Sequence, residues 1–109
     1  MRKIKVLIKE PGKRPYFAEI NNDLRSLQKI VGGYIETVIT IPEEGIVVVC
    51  NEEGRLMNLP KNAVFNGVDY VGTILFSGFD EEEFSDLPIS VDEFAKRHPE
   101  LFIEAEVES

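Results

Sequence analysis

Residues 22–33, NDLRSLQKIVGG, are the stretch that decides the fold. The apolar residues of this stretch recur at helical spacing and form one stripe: Leu24, Leu27, Ile30 and Val31. Asn22 is placed to cap the first free amides. Gly32 and Gly33 are suited to end the helix, because glycine adopts the left-handed conformation at little cost. The stretch therefore predicts a helix over 22–31 that buries its stripe against another element.

Strand patterns lie on both sides of this helix. Before it, residues 3–8 and 16–20 are separated by a Pro-Gly turn and predict a hairpin. After it, residues 34–41 are rich in β-branched side chains, and residues 46–50 form a continuous apolar run expected at the centre of a sheet. Two further strands are predicted at 56–59 and 70–79, with irregular structure over 61–69.

The C-terminal third begins with an acidic turn at 80–83. Ser90 and Glu93 then form a capping box for a short helix that ends before Pro99. Alternating apolar residues in 101–109 predict either an edge strand or a frayed tail. The hairpin-length turns favour antiparallel pairing. We therefore predict one α+β domain over 1–109: a mostly antiparallel sheet of about five strands, the 22–31 helix on one face, and a short C-terminal helix.

Composition narrows the chemistry further. The chain has 109 residues and a single cysteine and histidine, Cys50 and His98, so an internal disulfide and a zinc site needing two histidines are both excluded. No apolar run approaches the roughly 20 residues of a transmembrane helix, and the basic N-terminus lacks a signal-peptide core. A cytoplasmic protein without membrane association is the expectation.

Charge is distributed unevenly along the chain. Residues 1–29 carry a net charge of +5 and residues 51–109 a net charge of −10, within a total of −8. Such asymmetry marks either a partner-binding face or two oppositely charged parts of one domain that lie side by side. The acidic total opposes direct nucleic-acid binding.

Known catalytic and cofactor patterns do not fit this sequence. Cys50 closes an apolar run, where a buried thiol is commonplace, and His98 sits beside a helix end. The acids at 80–86 are consecutive rather than alternating around a glycine, so the calcium-loop pattern is not met. Gly32 and Gly33 follow a helix and offer carbonyls, not the amides that bind phosphate. We predict no catalytic residues, no metal and no cofactor, and lean against an enzyme.

Several short motifs together resemble a known family of small proteins. They are EPGK at 10–13, NDL at 22–24, LQ at 27–28, IVGGYIE at 30–36, CNEEG at 50–54, LPKN at 59–62 and GT at 72–73. In order and spacing they resemble domain of unknown function 3846, whose members are frequent in phages and mobile elements of Gram-positive bacteria. The resemblance implies a shared fold and habitat; it carries over no catalytic residue.

Two surfaces are candidates for binding. If the turn asparagines converge with the strand start, they form a polar pocket for a nucleotide or metabolite: Tyr34, Glu36, Asn51, Glu52 and Asn62. The acidic segment forms a candidate protein-binding surface: Asp80, Glu81, Glu82, Glu83 and Asp86. The leading hypothesis is a non-enzymatic accessory protein of a phage or mobile element. It would bind a basic protein of the host or the element as an acidic decoy for nucleic acid. A small-ligand module is the alternative, and the sequence leaves an unrecognised enzyme and the oligomeric state open.

Overall fold

The central feature of the fold is a six-stranded antiparallel sheet. The computed structural model describes residues 2–80 and 83–102. The sheet order is β2-β1-β7-β4-β3 with β8 beside β7, and β5 and β6 form a separate hairpin. The strands are β1 Lys3–Lys9, β2 Tyr16–Asn21, β3 Ile35–Ile41, β4 Ile46–Asn51, β5 Lys61–Phe65, β6 Val68–Val71, β7 Ile74–Asp80 and β8 Glu83–Ser85. The helices are α1 Leu24–Val31 and α2 Val91–Arg97, with 3₁₀ turns at Pro42–Glu44 and Pro99–Phe102. The predicted α+β fold with a mostly antiparallel sheet is confirmed.

Helix α1 lies where the sequence places it, but its cap and its stripe differ from the prediction. Asp23, not Asn22, is the N-cap, because its carboxylate accepts the N–H of Ser26 at 2.8 Å. The Asn22 amide instead donates to the carbonyl of Phe84. Leu24 is 58% exposed, whereas Leu27 is 2% exposed, so the buried stripe begins one turn later than expected. Gly32 ends the helix in the left-handed conformation, as predicted.

The sheet separates two apolar layers. On one face, Leu27 and Val31 of α1 pack on residues of β1, β4 and β7. On the other face, Phe94 of α2 and Leu101 pack against Phe76, and the β5–β6 hairpin adds Phe65 and Tyr70. Strand β4 is buried along its whole length between β7 and β3, which confirms its predicted central place. Two faces covered by separate elements explain why the run at 46–50 is apolar at every position.

The region between β4 and β7 was predicted wrongly. Residues 56–59 are not a strand: turns fill 52–58, and Leu56 is 85% exposed. Residues 61–69 are not irregular, because Asn66 and Gly67 both take positive φ and close the β5–β6 hairpin. The predicted strand over 70–79 is interrupted at Gly72, whose φ is +74°, and becomes β6 and β7.

The C-terminal third is partly as predicted. Asp80 and Glu83 are paired across the β7–β8 hairpin rather than lying in a simple acidic turn, and residues 81 and 82 lie outside the described part. The Ser90 hydroxyl accepts the N–H of Glu93 at 3.0 Å, which confirms the Ser90 half of the predicted capping box, whereas the Glu93 carboxylate accepts the Nε–H of Arg97. The tail prediction for 103–109 also lies outside the described residues, whereas Leu101 and Phe102 form a 3₁₀ turn instead of a strand. Within the described ranges no helix is long and apolar enough to cross a membrane.

Candidate binding cleft

A cleft lies at the β3 end of the molecule, under the turns at 52–58. Its volume is about 460 Å³. Strands β3, β4 and β6 supply its walls, and the turns supply its rim. We call it the acidic cleft, after four carboxylates in its lining: Glu36, Glu52, Glu53 and Asp69.

Three of the five residues predicted to form a polar pocket line this cleft. Glu36 comes from β3, Asn51 ends β4, and Glu52 follows it in the first turn. Register explains the convergence, because β3 and β4 pair Glu36 with Cys50 and Ile35 with Asn51. Tyr34 and Asn62 are not among the lining residues.

Asn51 has a structural task within the cleft wall. It is buried; its amide nitrogen donates to the carbonyl of Val31 at 3.2 Å, and its amide oxygen accepts the N–H of Glu53 at 2.8 Å. These bonds join the end of α1 to the turn that carries two of the acids. Asn51 therefore holds the rim in place, and its side chain is already satisfied by the protein.

Tyr34 and Asn62, the two predicted residues outside the cleft, make hydrogen bonds that involve the backbone. The Tyr34 side chain is exposed, and its carbonyl accepts the N–H of Glu52 at 2.8 Å, extending the β3–β4 ladder. The Asn62 amide donates to the carbonyls of Lys9 at 2.8 Å and Gly72 at 2.7 Å. Asn62 thus ties the β5–β6 hairpin to the main sheet, away from the cleft.

Two protonated side chains contribute to the lining. Cys50 donates its thiol to the carbonyl of Glu36, with 3.7 Å between sulfur and oxygen. Burial, with a smaller contribution from the Glu36 charge, raises the pKa of Cys50 to about 11. Burial also raises the pKa of Tyr70 to about 12. At neutral pH neither group is a nucleophile, because the reactive form of each is the anion.

The cleft carries a net negative charge. None of its four carboxylates has an ion-pair partner within residues 2–80 and 83–102. Arg55 is the only lysine or arginine in the lining, and its guanidinium donates to the backbone carbonyl of Asp69 at 2.7 Å. The described part of the chain has no group of three side chains placed to hold a metal ion.

Sequence reasoning missed part of this lining. Glu53, Arg55, Leu56 and Asp69 were not predicted to line a pocket, and of these Leu56 and Asp69 lie in segments whose secondary structure was predicted wrongly. The Asn66-Gly67 pair was the available signal, since it predicts a hairpin whose second strand returns Asp69 toward β4. The exposure of Leu56 has no comparable local signal.

The acids of the predicted partner surface at 80–86 differ from those of the cleft, because some of them contact other parts of the protein. Glu83 lies 3.8 Å from Arg2, and the Asp86 carboxylate accepts the N–H of Lys5 at 2.8 Å. Asp80 is exposed at the end of β7, and Glu81 and Glu82 lie outside the described residues. Two of the three described acids are therefore used in contacts within the protein, Glu83 with Arg2 and Asp86 with the backbone of β1.

His98 lines a smaller, separate cleft and does not meet Cys50. Its ring lies 5.0 Å from those of Phe65 and Phe94, centroid to centroid. Its neighbours in that cleft include Glu43, Glu44 and Glu100. The two residues that a Cys–His pair would need thus lie in different clefts.

Comparison with known proteins identifies one relationship. No curated protein and no solved structure matches this chain. The sequence model of the family described as "Domain of unknown function (DUF3846)" matches residues 4–99. That range includes all of the sheet except Lys3 at the start of β1, both helices and the whole lining of the acidic cleft. The chain belongs to the DUF3846 family.

Proposed function

We propose that this protein works by binding another protein of basic character, and that the acidic cleft is the contact surface. The observation that carries the proposal is four carboxylates without ion-pair partners in the described structure, gathered in one concave site. Such a site concentrates negative potential and attracts cationic groups.

Exposed apolar side chains beside the cleft support a protein partner. Leu56 stands on its rim, Met57 follows in the same turn, and Val68 lies on its wall; all three are exposed. Protein interfaces commonly combine apolar anchors with a polar rim. An apolar rim around an acidic centre fits a partner surface that has both lysine or arginine and apolar side chains.

The proposal keeps the role of acidic decoy and places it at this cleft. Phosphate-binding proteins present clustered Lys and Arg, and an acidic concave surface is complementary to them. A habitat in phages and mobile elements, which the family resemblance implies, suits a small protein that occupies such a partner in place of nucleic acid. The 80–86 segment stays a predicted second surface, with fewer free acids in its described part.

The experiment begins with capture of the partner. A photo-reactive amino acid at Leu56 is compared with one at Tyr16, which is also exposed but lies on β2 at the opposite edge of the sheet. Both variants are irradiated in a lysate of the organism that encodes the chain. We expect a basic protein to be cross-linked from position 56 and not from position 16.

Association rates with the captured protein then test the electrostatics. The variant Glu52→Gln with Glu53→Gln removes two cleft charges, and Asp80→Asn with Glu83→Gln removes two charges from the other surface. We expect the first pair to slow association and weaken its salt dependence, and the second pair to leave both unchanged. An effect of the second pair alone would move the site to 80–86, and no effect of either would remove the electrostatic mechanism.

A small cationic ligand is the second candidate for the same cleft. The volume of about 460 Å³ lies in the range of small-molecule sites, and Glu36, Asn51 and Glu52 line it as the sequence suggested. The acids favour a polyamine over a nucleotide, whose phosphates they repel. A rise in the unfolding midpoint with spermidine, and none with ATP, would favour this alternative over a protein partner.

A further inference from the structure

The backbone groups along the outer edge of β3 are used neither by the acidic cleft nor by the core. Among the described strands, β3 is the last on its side of the sheet. Its seven residues are IETVITI, and all except Glu36 are β-branched. The strand contains neither Lys nor Pro. Lysine and proline are residues that commonly protect natural sheet edges from pairing with another chain. Ile39 is 65% exposed on this strand.

The hydrogen-bond pattern shows which backbone groups are free. The N–H of Glu52 donates to the carbonyl of Tyr34 at 2.8 Å, and Glu36 pairs with Cys50 in the same ladder. Because bonded and non-bonded pairs alternate, Ile35, Thr37 and Ile39 direct their N–H and C=O groups away from β4. The open edge ends at Thr40, whose carbonyl accepts the Asn66 amide.

We propose that two copies of this chain associate through antiparallel pairing of their β3 edges, with Thr37 opposite Thr37 of the second copy. In this register Ile35 faces Ile39 of the other copy on both sides of the two-fold axis. Apolar β-branched pairs and Thr–Thr pairs stabilise antiparallel strands. Glu36 is the only charged residue of the strand. In this register it lies opposite Val38 of the second copy and not opposite the second Glu36.

The opposite edge of the sheet does not suit the same pairing. The N–H of Asn22 donates to the carbonyl of Arg2, so the outward groups of β2 belong to Phe17, Glu19 and Asn21. Two-fold pairing about the middle one would place Glu19 directly opposite Glu19. Like charges in that position are destabilising. We therefore expect a second copy to pair with β3 and not with β2.

This association goes beyond the proposed function and does not depend on it. Side chains of Glu36 and Val38 line the acidic cleft, so pairing at β3 would set two such clefts on the same face of a continuous sheet. The two Glu36 side chains would then be diagonal neighbours. Salt should therefore strengthen self-association by screening their repulsion, whereas it should weaken binding of a basic partner.

Sedimentation across a wide concentration series tests the proposal on the full chain. We expect the wild type to rise from 12.3 kDa toward twice that mass as concentration increases, and more so at high salt. Thr37→Pro removes an outward N–H without removing a bond to β4, and Ile39→Lys puts a charge opposite Ile35. We expect both variants to remain monomeric, with circular dichroism checking that each is folded.

Phe17→Lys is the matched control, because it also adds a positive charge at a half-exposed aromatic on the other edge strand. We expect it to dimerise like the wild type. A wild type that stays monomeric at every concentration overturns the proposal, and so does a dimer that survives Ile39→Lys or is lost in Phe17→Lys.

The register has its own test. Thr37→Cys should form an intermolecular disulfide under mild oxidation, since Cα atoms of a directly opposed pair are close enough to bridge. Ile39→Cys should not, because residues 39 of the two copies are four positions apart in this register. The wild type controls for the buried Cys50. Cross-linking through Ile39→Cys and not through Thr37→Cys would contradict the register.

Discussion

At the scale of single residues, Cys50 shows how burial sets chemistry. Cys50 is 7% exposed, and burial raises the pKa of its thiol from 9.0 to about 11. Above about pH 9 the unfolded chain releases this proton while the folded protein keeps it. Stability due to the protonated thiol is therefore complete below about pH 9 and is lost as pH rises toward about 11, on the order of 3 kcal/mol in all.

The corresponding prediction compares the wild type with Cys50→Ser. We expect the free energy of unfolding, measured with urea, to fall more steeply for the wild type between about pH 9 and pH 11. The serine hydroxyl can still donate to the Glu36 carbonyl but does not titrate there. The Cys50 charge also helps to raise the pKa of Tyr70, so the comparison stops at about pH 11, below the range in which Tyr70 titrates. Parallel profiles would contradict the prediction.

The asparagines show what residue types alone reveal. Their preference for turns was read correctly at Asn51, which starts the turn at 52–58. Their partners were not predictable, because Asn62 bonds to Lys9 and Asn22 to Phe84 across long stretches of sequence. Local spacing carries no information about such contacts. This is why Asn62 was grouped with a pocket that it does not line.

At the scale of elements, α1 offers a matched pair of leucines. Leu27 is fully packed on the sheet, whereas Leu24 is 58% exposed on the same helix. We expect Leu27→Ala to lower the free energy of unfolding by roughly 2–5 kcal/mol, as a truncation in the core. Leu24→Ala should change it by about 0.5 kcal/mol or less, because an exposed side chain leaves no cavity. Equal losses in urea unfolding would mean that the helix lies differently on the sheet.

Elements were predicted well where the signal is local. The caps at Gly32 and Ser90 and the run at 46–50 each depend on a few adjacent residues, and all three are confirmed. The β5–β6 hairpin was not predicted, although Asn66 and Gly67 are typical of a hairpin turn. Apolar and polar residues around Val64 and Val68 do not alternate clearly enough to indicate strands. The helical spacing of Leu24 equally fits a buried or an exposed position. Only the site of packing decides that.

At the scale of the whole molecule, charge is sorted across the sheet. The basic strand β1, which has three lysines, lies beside β2 toward one edge of the sheet, and the acidic cleft lies at the β3 end. Of the acids at 83–86, Glu83 lies 3.8 Å from the Arg2 guanidinium, and Asp86 accepts the backbone N–H of Lys5 in β1. The sequence predicted the uneven distribution of charge. It did not predict where the acidic segments lie in the fold, because strand order is set by long-range pairing. One part of the acidic excess is compensated within the fold, and the part at the cleft is not.

Uncompensated charge at the cleft leads to a prediction about stability. Clustered carboxylates repel one another, so a site kept for binding lowers the stability of the free protein. We expect Glu52→Gln with Glu53→Gln to raise Tm by about 1–3 °C at low salt, while it weakens partner binding. The control Glu10→Gln with Glu93→Gln also removes two charges, but each of those acids pairs with a cation, Lys13 or Arg97. It should give no gain. Because screening weakens the repulsion, the gain should shrink as salt rises. Calorimetry at two salt concentrations measures both effects, and a lower Tm for the cleft variant would mean that these acids stabilise the fold instead.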